Sequence, residues 1–228
     1  MTVKFLNWDS DFFNKKIGEI LYTTKKELIS IDGSYDLIYV KQKEKFDVEI
    51  DGFEKSYDEI KVLFVKEIKK RIQLKNNYVF SARDINFELE KVYELAYQSG
   101  VYSRFKLDNK FQEIEFKKLY RTWVDNSLSK EIADDILLIS KDKTILGFAA
   151  YKIFKEYAQI GLIAINPEYQ GKGFGKMLMN SVENEALSKN IKILKVTTQS
   201  RNQLACEFYL KCGYFIEKKT IIKHFWKK

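Results

Sequence analysis

Over the first eighty positions, apolar residues come in short runs: Gly18–Tyr22, Leu37–Lys41, Phe46–Ile50 and Ile60–Ile68. They are rich in β-branched and aromatic side chains and are separated by Asp-Gly pairs at 32–33 and 51–52, the chemistry of tight turns. The pattern predicts a small, mostly β region over residues 1–80. The period then lengthens. Leu89, Val92, Tyr93 and Ala96 fall on one face of a helix that Asn86 can cap and Gly100 can end. Phe116, Leu119, Tyr120, Trp123 and Val124 form the stripe of a second helix over Phe111–Leu128, more suited to a core than to a binding face. Between the two helices lies the loop Val-Tyr-Ser-Arg-Phe-Lys-Leu-Asp (101–108), dense in aromatic and charged residues.

From residue 135 the elements follow closely. Strands are predicted over Ile136–Ser140, Ile145–Phe154, Tyr157–Ile165, Ile193–Thr198 and Tyr214–Phe225, with a hairpin turn at 141–144. Helices fit Phe174–Ser188 and Asn202–Lys211. The order β-β-β-α-β-α-β defines an α+β fold, with helices packed against one mixed sheet. Residues 81–228 are thereby expected to form the main domain, and residues 1–80 a smaller N-terminal region.

Composition narrows the class. With 228 residues, 45% hydrophobic and 15% aromatic, the chain can bury a core. Its net charge of +8 first suggests a nucleic-acid partner. Only five of its forty cations are Arg, however, the side chain suited to bidentate reading of bases and phosphates. The excess is +1 over residues 1–80 and +7 over 81–228, with a Lys-rich stretch from Lys218 to Lys228 that reads as a solvated strand face. No nucleic-acid groove is indicated. Two Cys, 206 and 212, and one His, 224, do not supply a zinc framework, and the thiols are expected to be packed rather than bridged. His224 reads as a strand histidine near a sheet edge. No leader-like segment and no run of eighteen apolar residues is seen, so a globular, cytoplasmic protein without a membrane span is expected.

The chemistry is concentrated in Ile-Gly-Leu-Ile-Ala-Ile-Asn-Pro-Glu-Tyr-Gln-Gly-Lys-Gly-Phe-Gly-Lys-Met-Leu (160–178). A strand turns at Asn166–Pro167, and a glycine-rich loop opens a helix. Unpaired N–H groups at the helix N-terminus, the helix dipole, Lys172 and Lys176 together favour a phosphate. The spacing fits neither a Walker loop, which needs Ser or Thr where Met177 stands, nor the dinucleotide fingerprint Gly-x-Gly-x-x-Gly. A plain strand–helix turn is the alternative for such a loop taken alone.

Gln170-x-x-Gly173-x-Gly175 after an apolar strand resembles the acyl-CoA loop of the GCN5-related N-acetyltransferases. The similarity continues through Asn202, Ala205, Phe208, Tyr209, Gly213 and Tyr214–Phe215 without a gap, covering residues 135–228. A narrower resemblance, in Leu-Asn-Trp-Asp-Ser-Asp-Phe-Phe (6–13), Tyr-Ser-Arg-Phe-Lys-Leu-Asp (102–108) and 119–128, is to bacterial dTDP-fucosamine acetyltransferases. It departs at Asn14, where Gly is expected.

The resemblance implies acetyl-CoA as cosubstrate and no metal. Its pantetheine arm would lie along Ile163, Ala164 and Ile165, and its pyrophosphate on Gln170, Gly171, Lys172, Gly173, Phe174, Gly175 and Lys176. Asn202 would bond the arm, and Tyr209 would be the acid for the leaving thiolate, a packed helix aromatic being the alternative. The second substrate would be a dTDP- or UDP-linked amino sugar, with Arg104 at its diphosphate and Tyr102 and Phe105 stacking on sugar or base; a loop packed on the N-terminal region is the alternative. No base is identified. Cys206 has no sequence partner to activate it as a nucleophile. Another amine acceptor, such as a protein N-terminus, a polyamine or an antibiotic, and a non-catalytic acyl-CoA-binding module are the competing functions. A homodimer is possible.

Overall fold

The computed structural model describes residues 2–22, 28–31, 33–74 and 78–228. Asp32, half of the first expected Asp-Gly turn, lies outside them. In the second turn Gly52 takes φ 77°, a left-handed conformation suited to glycine.

The N-terminal segment forms β1 (Lys4–Phe5), α1 (Asn7–Phe13), β2 (Ile17–Tyr22), β3 (Leu28–Ile29), β4 (Leu37–Gln42), β5 (Glu49–Ile50) and β6 (Phe53–Glu67). The middle of the chain forms β7 (Val79–Ser81), α2 (Leu89–Ser99), α3 (Arg104–Leu107) and α4 (Glu113–Leu128). The remainder is β8 (Asp135–Lys141), β9 (Thr144–Ile153), β10 (Ala158–Ile165), α5 (Phe174–Ser188), β11 (Ile193–Gln199), α6 (Gln203–Lys211) and β12 (Phe215–Lys227). Ten strands make one sheet in the order β1-β2-β4-β12-β6-β11-β10-β9-β8-β7, while β3 and β5 pair separately. The β2–β4 and β10–β11 pairs of the large sheet are parallel and its other pairs antiparallel. The expected α+β architecture, helices against a mixed and mostly antiparallel sheet, is the one observed.

Helices cover both faces. On one, α2 and α4 bury Val92, Leu95, Leu119 and Val124 against Ile136, Leu138, Phe148 and Ala150. On the other, α5 and α6 bury Leu178, Met179, Val182 and Tyr209 against Val62, Phe64, Leu194 and Val196. Each fully buried side chain of this size contributes about 1.5–3 kcal/mol. Strands β4, β12 and β6 lie side by side, so residues 1–80 supply strands to the sheet that carries the C-terminal motifs. Lys66 of β6 donates to both oxygens of Glu183 on α5 (2.7 and 2.9 Å), and Tyr214 donates to the same carboxylate (2.9 Å). Glu183 is itself buried, so removing the Lys66 cation would strand a charge in the core.

Several boundaries differ from the sequence reading for local reasons. The strand expected over Phe46–Ile50 is only β5. Strand β6 begins seven residues before Ile60, because β12 pairs with it back to Phe53. Asn86 caps nothing: Ala82 N–H still bonds Ile136 O of β8, and α2 starts at Leu89 with Glu88 at its cap. Helix α4 starts at Glu113, where Glu115 accepts from the Gln112 N–H (2.7 Å). Asn14 closes α1 with φ 50°, a left-handed position that Asn tolerates in place of Gly. Among the described residues no helix is long and apolar enough to cross a membrane.

Candidate active site

A cleft of about 1350 Å³ opens where two strands part. β10 and β11 pair only from Ala158–Ile160 to Leu194–Val196. At Gly161 the register of β10 on β9 shifts; beyond it Leu162–Ile165 stay bonded to β9 while their pairing with β11 stops. The edge of β10 facing the gap therefore offers N–H and C=O groups to a ligand that can lie along it like a strand. Ile163, Ala164 and Ile165 line that edge.

The loop at the end of β10 is held by its own side chains. Asn166 Oδ1 accepts from Glu168 N–H (3.0 Å), and Gln170 Nε2 donates to Ile165 O (3.1 Å). Gly171 and Gly173 take φ 73° and 85°, which an L side chain would resist. At Gly175 a Cβ would approach Phe208 to 3.1 Å, so glycine there lets α5 and α6 meet closely. The first bond of α5 runs from Met177 N–H to Gly173 O, leaving the N–H groups of residues 171–176 without a backbone partner among the described residues. Six such donors at a helix N-terminus beside Lys176 fit a pyrophosphate. Gln170, Gly171, Gly173, Gly175 and Lys176 line the cleft. The side chains of Lys172 and Phe174 do not: Lys172 donates to Glu168 O (2.9 Å), and Phe174 packs toward Tyr78 and Tyr169. What these two add to the loop is backbone N–H.

Helix α6 completes this half. Asn202 caps it through Oδ1, which accepts from Ala205 N–H (3.2 Å), and its Nδ2 is left to meet a ligand. Tyr209 lines the cleft at 4% exposure, its ring 5.3 Å from that of Phe64. Burial, with Cys206 and Cys212 one turn to either side, pushes its pKa well above the usual phenol value, so it holds its proton at neutral pH. Both cysteines are free, and burial raises the Cys206 thiol away from the reactive thiolate.

The second half of the cleft is roofed by α1, α3 and α4 and floored by β4, β6 and β12. Tyr102, Arg104 and Phe105 all face it, the last two within the short helix α3 rather than in a loop. The Arg104 guanidinium sits 4.0 Å from the Tyr39 ring centroid and 4.6 Å from that of Phe105, with Nη1 buried and unpartnered. Tyr120 and Trp123, expected only as core, also line this half, as do Asp9, Lys41, Lys43 and Lys61.

Glu59, which the sequence reading missed, lines the cleft at 4% exposure with Oε2 unpartnered. Burial raises its carboxyl pKa, and Arg104 opposes the shift. Asp9 is raised in the same way, opposed by Arg104 and then Lys41. No sequence signal marked Glu59, because it sits in the charged stretch Asp-Glu-Ile-Lys where the apolar run begins.

Behind Arg104 an ordered polar knot fixes α3 to the sheet. Asp108 Oδ2 accepts from His224 Nδ1 (2.6 Å), Trp226 Nε1 (3.0 Å) and Ser56 Oγ (3.0 Å). His224 is thus fully buried between β4 and β6, not near a sheet edge as expected. Nor is the Lys-rich strand wholly solvated, since Lys223 is buried and donates to Phe46 O. Burial lowers the His224 pKa to about 4, with the Asp108 hydrogen bond opposing it. Between the ordinary value of 6.5 and about 4, the unfolded chain then binds a proton that the native chain refuses, so stability falls as pH drops through that window. Between pH 7 and pH 5 this amounts to about 2 kcal/mol. His224→Gln keeps a donor for Asp108 but cannot titrate. Urea midpoints at the two pH values are expected to converge in that variant, and an unchanged acid loss would refute the assignment.

A sheet parted at a strand bulge, with a helix N-terminus at the mouth of the gap, defines an acyl-CoA N-acyltransferase fold. Residues 90–214 match the acetyltransferase (GNAT) family, more than half of the chain, and the chain belongs to it. A Bacillus subtilis protein named as a ribosomal-protein-bS18-alanine N-acetyltransferase is 30% identical over 44% of this chain and 70% of its own. A spermidine N(1)-acetyltransferase of Thermoplasma acidophilum is 28% identical over 57% of this chain and 84% of its own. A solved structure from Novosphingobium aromaticivorans assigned to the same family shares the fold, with TM-score 0.55 and 11% identity over 85% of this chain and 75% of its own. The chain is an acetyl-CoA-dependent N-acetyltransferase.

Proposed function

We propose that the protein moves an acetyl group from acetyl-CoA to the amine of a nucleotide-linked amino-dideoxy sugar, by direct transfer in a ternary complex. The observation that carries this reading is Arg104, a guanidinium in the wall of the acceptor half with a buried, unpartnered Nη1. Lys41, Lys43 and Lys61 line the same half, against the carboxylates Asp9 and Glu59. Such a surface draws a diphosphate inward and repels a polycation such as spermidine.

In this reading the CoA pyrophosphate rests on the N–H groups of residues 171–176 and Lys176, and the pantetheine arm runs along Ile163–Ile165 toward Tyr209. Glu59 takes a proton from the acceptor ammonium, directly or through one water, and frees the nitrogen lone pair. The amine nitrogen bonds to the thioester carbon, whose oxygen meets an unpaired N–H on the gap edge of β10. As the C–S bond breaks, the sulfur takes the phenolic proton of Tyr209, while the second proton of the attacking nitrogen passes to solvent as the amide forms and solvent restores the phenol. Cys206 forms no acyl intermediate.

Thiol release from acetyl-CoA, measured across dTDP- and UDP-linked 3- and 4-amino sugars beside spermidine and N-terminal peptides, tests the reading. Turnover with a nucleotide sugar is expected, and no turnover with any of them would remove it.

A further inference from the structure

The outer lip of the acceptor half carries a flat aromatic surface that the chemistry above does not use. Trp8 of α1 lines the cleft and is 45% exposed, whereas Glu59 and Phe105 deeper in the same half are 4% and 7% exposed. One face of the indole stacks on Phe12, with centroids 5.0 Å apart and planes 11° from parallel. Lys118 lies over the Phe12 ring at 4.9 Å. Trp8 is therefore a braced ring with accessible area on the cleft, not a loosely hung side chain. Leu21, 63% exposed, lines the same cleft, as do Lys41 and Lys43; Lys41 is paired with Glu19 at 2.5 Å.

We propose that Trp8 is the stacking platform for the base of a nucleoside diphosphate, with Lys41 and Lys43 under its phosphates. The inference rests on the nucleotide-sugar reading and adds the subsite that recognises the nucleotide. A base presents a planar π-face of the same kind as the indole, and stacking of this type is tolerant of base identity. The same cleft also supplies a group for each part of such a substrate: Trp8 for the base, Lys41, Lys43 and Arg104 for the diphosphate, and Glu59 for the amine.

The test uses dTDP and UDP as probes, with thymidine and a hexose 1-phosphate as controls. In a Trp123→Phe background, which removes the other cleft-lining indole and leaves only the buried Trp226 apart from Trp8, both nucleoside diphosphates are expected to quench tryptophan fluorescence. The hexose phosphate is expected to leave it unchanged, and thymidine to act only at higher concentration. Trp8→Leu should abolish the quench and raise the KM for the nucleotide sugar by ~10-fold, with kcat moved far less and the KM for acetyl-CoA held. Trp8→Phe, which keeps an aromatic face on Phe12, should restore most of the acceptor affinity. A quench that survives in Trp8→Leu, or an acceptor KM that Trp8→Leu leaves unaltered while nucleotide sugars are still turned over, would overturn the platform and leave the substrate reading standing. Absence of both nucleotide binding and nucleotide-sugar turnover would overturn the two together.

Discussion

Tyr209→Phe is expected to lower kcat by about 10²-fold or more while leaving the KM for acetyl-CoA nearly unchanged. The substitution removes one oxygen from a ring that remains packed against Phe64, so the fold and the CoA-binding loop are preserved. In the proposed mechanism, what is lost is the proton that the departing sulfur takes as the C–S bond breaks. Burial keeps that proton on the phenol throughout the neutral range. In the proposed mechanism the acidic limb of the pH profile belongs instead to Glu59, which must be ionised to accept the amine proton and whose pKa burial raises. Activity therefore falls as pH drops through that raised value, and Tyr209→Phe should retain the limb at a lower plateau. A kcat equal to the parent's with chemistry rate-limiting, or loss of the acidic limb itself, would remove Tyr209 from the acid role.

Arg104→Gln is expected to raise the KM for the acceptor by about 10- to 100-fold, the range given by losing a hydrogen bond to a charged group. The KM for acetyl-CoA should stay put, since Arg104 is on the opposite half of the cleft from the glycine loop. A second effect separates this from simple unfolding. Arg104 holds the Glu59 carboxyl down against its burial, so removing the cation should move the acidic limb to higher pH. Arg104→Lys should recover only part of the affinity, because an ammonium cannot reproduce the planar fork or its stacking on Tyr39. Thermal unfolding of both variants reports whether α3 stays docked through Asp108. An unaltered acceptor KM in a folded Arg104→Gln protein would contradict the assignment.

The two halves of the cleft were unequally legible in the sequence. The acyl-CoA half is written in local chemistry: glycines where φ is positive, an Asn at a helix start, and an apolar strand before a turn. Each of these constraints acts over a few residues, so the spacing alone locates the loop and α6. The acceptor half is assembled from elements far apart in the chain, and no local pattern encodes it. Glu59 and Lys61 stand at the start of an apolar run, and nothing in their spacing marks them as cleft residues. They face the cleft because β6 passes between β12 and β11, a pairing that joins residues more than a hundred positions apart. The same topology buries His224, which on its own strand looked like an edge residue. Trp8 was visible only as part of a short N-terminal resemblance; its exposure and its bracing by Phe12 needed the fold. Tyr120 and Trp123 satisfy a helical stripe and line the cleft at once, a double role that periodicity cannot separate.

The proposed acceptor is an anionic nucleotide sugar rather than a cationic or peptide amine. This proposal is tested most directly by competition. The enzyme is given limiting acetyl-CoA and equal concentrations of a dTDP-linked 4-amino-4,6-dideoxy sugar, its UDP counterpart, spermidine and an alanine-terminated peptide. Products are then read by mass. The acetyl group is expected to appear on the nucleotide sugars, and excess dTDP is expected to suppress formation of those products. Acetylation of spermidine or of the peptide in preference to both nucleotide sugars would contradict the account.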